Sequence, residues 1–206
     1  MATKISSAAT SAQTRSIIRK NLRGWFNEAT KEEMLSGLLW YAEAQRFSDY
    51  LSTTYNVSGE VAAGVISALS PNNKWPRNKV DAEAVLAAHT QGHDSESVRV
   101  CTYNANKRKA FAIASGDAAI LKQSPKTYAF ARNVGEQDGN YVTIDKWHLR
   151  ACQTLAKEPK ALQTSVTAKQ YKVLQDETLK VAKEFGVTGY EFQAVVWVTI
   201  RNRWSS

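Results

Sequence analysis

The chain has 206 residues, 43% of them hydrophobic, enough to bury the core of one domain or two small helical lobes without a disulfide or metal. Its net charge of +8 points to a polyanionic partner. Two cysteines, Cys101 and Cys152, are too few for an iron–sulfur site or a disulfide framework and are expected to be reduced and buried, and no apolar run approaches the roughly 18 residues of a membrane span.

Residues 1–14 are rich in Ser, Thr and Ala and lack an apolar signal core, so they read as a flexible lead-in, with 15–206 as one helical domain of two lobes. Thr30-Lys31-Glu32-Glu33 forms a capping box, and a long helix follows with Leu35, Leu38, Leu39, Ala42, Phe47, Tyr50 and Leu51 on helical spacing. Ser58 caps the next helix, which carries the stripe Val61, Val65, Ile66 and Leu69 and stops at Ser70-Pro71. Further helices are predicted over Trp75–Ala88, Asn104–Ser115 and Ser124–Asn133. Gly135 to Asn140 is the clearest loop, and Tyr141–Ile144 reads as a short extended piece. Helices over Asp145–Leu155, Ala168–Phe185 and Gly189–Trp204 complete an all-α chain, with Gly186 closing one and Thr188 opening the next.

Lys126 and Asp145, 19 positions apart, are the most informative pair. Ser124 suits an N-cap and Pro125 the first helical position. Lys126 then falls in the first turn, at the positive end of the helix dipole, where a neutral lysine would be a nucleophile able to form a Schiff base. The plainer alternative is a solvated surface lysine. Asp145 reads as an N-cap, and backbone N–H groups stabilise the charged form of a capping carboxylate. Such a group can also stabilise an oxocarbenium-like sugar, so capping and catalysis are both open.

These residues resemble the helix–hairpin–helix DNA glycosylase superfamily, most closely its 8-oxoguanine DNA glycosylase branch. In that branch a lysine opens the helix after the hairpin, and an aspartate 19 positions later opens another after a Val-Pro-Val-Asp-like segment; Lys126 and Ile144-Asp145 stand in those places. The branch also has a helix ending in Ser-Ser-Asn-Asn-Asn with an arginine five positions after the first Asn. Here Ser70-Pro71-Asn72-Asn73-Lys74 is followed by Arg77. The resemblance spans about residues 58–155, and Gly189–Trp197 is loosely similar to uncharacterised bacteriophage proteins with this core.

The resemblance implies a two-lobed fold with an active-site cleft between lobes. It also implies excision of a modified base from double-stranded DNA by base flipping. Lys126 and Asp145 would be catalytic, with Asn72 and Arg77 meeting the estranged base and Asn73 a further DNA contact. A lysine nucleophile would add lyase activity, and neither a cofactor nor a metal is required. A monomer in the cytoplasm of a bacterium or phage-infected host is expected, with no membrane association.

Three features depart from the family. The hairpin, Leu121-Lys122-Gln123-Ser124-Pro125, lacks the glycines that let backbone N–H groups approach a phosphate, so Lys122 is the candidate contact there. The position two after the aspartate, often histidine, is Trp147, and His148 follows as a candidate DNA contact. The interval from Asn72 to Lys126 is shorter than in the eukaryotic enzymes.

Lys107, Arg108 and Lys109 are further phosphate candidates at a helix start, with a solvated charged face as the alternative. Trp75, Trp147, Tyr128 and Tyr141 read as core, one of them able to stack on a flipped base. His89 and His93 have no metal-ligand partners. Gln193, Trp197 and Arg201 share a helix face that reads as packing with a snorkelling charge. The rival reading is a catalytically inactive DNA-binding protein with the same fold.

Overall fold

Polar caps set where most of the helices begin. The computed structural model describes residues 11–156 and 162–204. Among them it shows α1 (Ala12–Asn27), α2 (Lys31–Tyr55), α3 (Gly59–Leu69), α4 (Trp75–Thr90), α5 (Asn104–Ala114), α6 (Pro125–Gly135), α7 (Lys146–Gln153), α8 (Ala168–Glu184) and α9 (Gly189–Trp204), and no strand. The protein is therefore all-α over those residues. The reciprocal capping pair predicted for α2 is present: the Thr30 amide donates to Glu33 Oε2 at 2.9 Å, and the Glu33 amide donates to Thr30 Oγ1 at 3.2 Å. Ser58 caps α3, and Thr188 and Glu191 form a further capping pair at the start of α9.

Two parts of the chain differ from the sequence reading. Ser11 accepts a hydrogen bond from the Thr14 amide, so residues 12–14 begin α1 rather than lie in a lead-in. The rest of that predicted segment, residues 1–10, lies outside the described residues. Between α5 and α6 the chain forms a 3-10 turn over Ala118–Gln123, and only Ser124 separates it from α6. Gly116, at φ +101°, takes the left-handed bend that lets α5 stop there.

The chain divides into two units, one running to Ala42 and resuming at Gly139, the other Glu43–Asp138. The division falls inside α2. In the first unit α1 packs on α7, α8 and α9 through buried Ile18, Leu22, Trp25 and Phe26. Phe26 stacks on Phe192 at 4.8 Å. Asn21 Nδ2 donates to Cys152 O, and Trp25 Nε1 to Thr154 O at 2.7 Å, so α1 fixes the end of α7. Gly37 lets α2 lie against α9, since a Cβ there would come within 2.5 Å of Val195 Cα.

In the second unit α3 is the central helix, packed on α4, α5 and α6, and every residue from Ala62 to Leu69 is buried. Ser67 Oγ donates to Thr127 O at 2.5 Å, tying the first turn of α6 to α3. Cys152 is buried as predicted, but Cys101 is exposed, because it lies in the loop before α5. No helix among the described residues is long and apolar enough to cross a membrane.

Candidate functional site

In the first unit, Asp145 is the N-cap of α7. Its Oδ1 accepts from the Trp147 amide at 2.9 Å and the His148 amide at 2.8 Å. Its Oδ2 is held separately by the indole N–H of Trp197 at 3.1 Å. The segment leading into it is pinned by two tyrosines. Tyr171 Oη donates to Val142 O at 2.7 Å and accepts from the Ile144 amide at 3.1 Å. Tyr41 Oη lies 3.1 Å from Thr143 Oγ1 and 3.1 Å from Gln193 Oε1. Burial pushes both phenols above their ordinary range, and the Asp145 charge adds to it, so both stay protonated. The extended piece predicted over Tyr141–Ile144 is thus held by side chains rather than by a neighbouring strand.

In the second unit, Lys126 is the second residue of α6, after Pro125 at the first position. Ser124 makes no side-chain cap bond. Lys126 is half-buried and has no carboxylate within 4 Å among the described residues. The preceding turn holds no glycine with positive φ, so it offers no backbone phosphate nest of the family type. Exposed Lys122 lines a cavity of about 240 Å³ with Glu60, Tyr128, Arg132 and Glu136.

The Asn72–Arg77 segment is organised by one buried acid. Asp81, fully buried, accepts from Asn73 Nδ2 at 2.9 Å and from the Cys101 amide at 2.8 Å. Arg77 Nε lies 2.9 Å from its Oδ1. Asn73 also donates to Leu69 O, so its amide braces the turn instead of standing free for a base. Arg77 is oriented through Nε, and its side chain is 46% exposed. Its terminal nitrogens make no hydrogen bond to the described residues. Asn72 adopts φ +56°, a left-handed conformation that asparagine tolerates, and donates to Tyr103 Oη at 2.9 Å. With Thr102 Oγ1 donating to Pro71 O at 2.8 Å, the three consecutive residues Cys101, Thr102 and Tyr103 all hold this segment. Tyr103 is 64% exposed.

Two sequence candidates are displaced from any DNA-facing role. Lys107 is buried, and its ammonium donates to Val98 O at 3.0 Å, so it is a brace inside the unit. Arg108 is exposed and Lys109 half-buried, leaving those two on the surface. His148 is also fully buried. The Thr178 hydroxyl donates to Leu174 O, so His148 Nε2 must donate to Thr178 Oγ1 at 2.9 Å. Burial lowers the imidazole pKa to about 3, leaving it neutral. The turn from Asp145 into α7 directs His148 inward and Trp147 outward.

Trp197, Tyr41, Tyr171, Asp81 and Tyr103 were not singled out as site residues from sequence. The i, i+4, i+8 row Gln193, Trp197 and Arg201 was the available signal for the first two. Gln193 meets Tyr41, Trp197 meets Asp145, and Arg201 lies over the Trp197 ring at 4.4 Å. No group of three or more His, Cys, Asp or Glu able to hold a metal ion occurs among the described residues.

A protein-family model described as a family of unknown function (DUF7178) matches residues 3–204, and the chain belongs to that family. No curated protein and no solved structure matches it.

Proposed function

We propose that this member of an unknown-function family is a DNA glycosylase that releases a modified base from a flipped-out nucleotide. One observation carries the reading. A lysine with no acid partner among the described residues stands in the first turn of α6, and 19 positions later an N-cap aspartate is held by three donors. Each occupies the place that the resemblance assigns to a catalytic group.

In the proposed reaction the Lys126 amine attacks the sugar C1′. The C1′–N bond breaks and the base leaves with the bonding pair, taking a proton. Asp145 stabilises the positive charge that develops on the sugar. The attached nitrogen gives up one proton, and as the C1′–O4′ bond breaks and O4′ takes a proton from water, its lone pair forms a protonated imine. Loss of the C2′ proton then expels the 3′ phosphate and nicks the strand. Arg77, aimed by Asp81, and Asn72 contact the base left unpaired. Lys122, Arg108 and Lys109 contact phosphates.

A panel of duplexes carrying different modified bases, run with borohydride, tests the reading: an imine-forming enzyme becomes covalently attached to DNA. The second reading is a catalytically inactive DNA-binding protein with this fold. The glycine-free turn before α6 favours it, since the usual backbone phosphate site is missing there. Binding to every duplex without adduct or base release would select it.

A further inference from the structure

Most arginines of the first unit pair with a carboxylate. Arg15 and Arg19 pair with Glu177, Arg23 with Glu184, and Arg203 with Glu33. Lys146, Arg150 and Arg201 are different. None has a carboxylate within 4 Å among the described residues, and each lies against an indole instead. The Arg150 guanidinium carbon is 4.7 Å from the Trp147 ring centre and 5.1 Å from that of Trp204. Those two rings meet edge to face at 6.0 Å. Lys146 Nζ lies 5.6 Å from the Trp147 ring, and Arg201 lies 4.4 Å from that of Trp197.

A ring face orients a cation without neutralising it and without occupying its N–H donors. A carboxylate would do both. The Arg150 guanidinium is therefore held in place with its charge uncompensated, and the planar fork of arginine suits a phosphate. All three arginine-bearing tryptophans are half-buried. The opposite face of α9 is consumed by the core, through Phe192, Val195, Val196 and Ile200, so α9 itself has no apolar face left for a lipid surface.

We propose that Lys146, Trp147, Arg150, Arg201 and Trp204 form a binding surface for single-stranded DNA. The cations take the phosphodiester backbone, and unpaired bases stack on the indoles. Bases inside a duplex are already stacked on one another, so the aromatic part favours unpaired nucleotides. The inference shares the DNA partner of the proposed function but uses neither the Lys126 amine nor the Asp145 carboxylate, and it stands if that chemistry fails.

The test is titration of the full chain with a labelled oligothymidine and with a duplex of equal length, following anisotropy and tryptophan emission. Oligothymidine should quench the emission and bind more tightly than duplex. Arg150→Gln with Arg201→Gln should weaken oligothymidine binding by about tenfold or more. The pair should also reduce the log-affinity against log-salt slope by about 1.4, from about 0.7 per phosphate neutralised on a single strand. Arg201→Gln alone, at an exposed position, should give about half that change with unaltered Tm, which keeps the test valid if the double variant folds poorly. A parent that binds oligothymidine but never forms a borohydride adduct would fail the proposed function while leaving this surface intact. Unchanged affinity and slope in the Arg201→Gln chain would overturn the proposal. So would displacement of oligothymidine by a polyaspartate peptide of matched charge, which would assign the surface to acidic proteins.

Discussion

Asp145 and Lys126 sit in opposite kinds of surroundings. The carboxylate is over-determined: two backbone amides hold one oxygen, an indole holds the other, and two buried tyrosines hold the segment before it, Tyr171 through its backbone and Tyr41 through the Thr143 hydroxyl. The lysine has a fixed backbone, tied through Thr127 O to Ser67, but its amine has no acid partner among the described residues. The contrast matches what the proposed roles demand. A group that stabilises developing charge gains from being held in advance. A nucleophile must move along its attack path and would lose reactivity in an ion pair. A pure capping aspartate needs one oxygen for its amides; the separate indole bond to the second is the feature that capping leaves unexplained.

The largest effect should come from removing the charge at Asp145. Asp145→Asn keeps a capping side chain, so folding should survive, while single-turnover base release should fall by at least about a hundredfold, roughly 3 kcal/mol of barrier. Full activity in that variant would reduce Asp145 to a cap. Trp197→Phe is gentler, since it deletes one N–H donor to a carboxylate and keeps an aromatic ring. A loss of about 1.5–3 kcal/mol, or roughly 10–100-fold in the same rate, is expected. A change confined to Tm would show that the indole bond only supports the fold.

The next prediction concerns the second unit. Arg77→Ala takes away the ion pair of buried Asp81 and leaves Asn73 and the Cys101 amide as its donors. Stability should fall by about 1–2 kcal/mol, below the 3–5 of a fully buried pair because the arginine is half exposed. The variant should also blunt opposite-base preference, and Arg77→Lys should keep stability better than base preference.

His148 gives a pH-dependent test of the first unit. Its imidazole ionises near pH 6.5 when the chain is unfolded but only near 3 when folded. Below about pH 6.5 the unfolded state therefore binds a proton that the native state excludes. Stability should fall with acidification by up to about 1.4 kcal/mol per pH unit, until the folded value is reached. Glu177 acts in a separate, lower window. Burial opposes its ionisation, but hydrogen bonds and charges from Lys180 and Arg19 prevail and hold its carboxyl below the usual range. Its contribution is present above about pH 4.5 and is lost as pH falls through the lowered value. His148→Gln should flatten the slope of Tm between pH 6.5 and 4.5 and leave the steeper fall below it. An unaltered slope would mean the histidine is not the group that titrates. The smallest effect is expected for Arg108 and Lys109: substituting both with Gln should reduce the salt slope of duplex binding by about 0.9 for each phosphate they neutralise.

Helix positions were largely legible because their signals are local. Thr30 and Glu33, Ser58, Pro71 and Thr188 set boundaries through bonds made within a few residues of themselves. The start of α1 was also in the sequence, in Ser11 and the spacing of Ile18, Leu22, Trp25 and Phe26, but the Ser- and Ala-rich composition around it suggested a tail. The candidate site was half legible. Asp145 could be read as an N-cap because that role is local. Its bond to Trp197 links residues 52 positions apart and could not be read. Lys107 and His148 misled for a related reason. A charged or polar side chain is ordinarily read as facing outward, but at these positions Val98 O and Thr178 compensate the buried groups.

The central claim is that Lys126 is an amine nucleophile, and borohydride trapping on a duplex that the parent chain cleaves tests it most directly. The parent should give a covalent protein–DNA adduct. Lys126→Gln should give none, while its duplex affinity stays within about twofold of the parent, a difference of under about 0.5 kcal/mol. An adduct of undiminished yield in the Lys126→Gln chain would contradict the account.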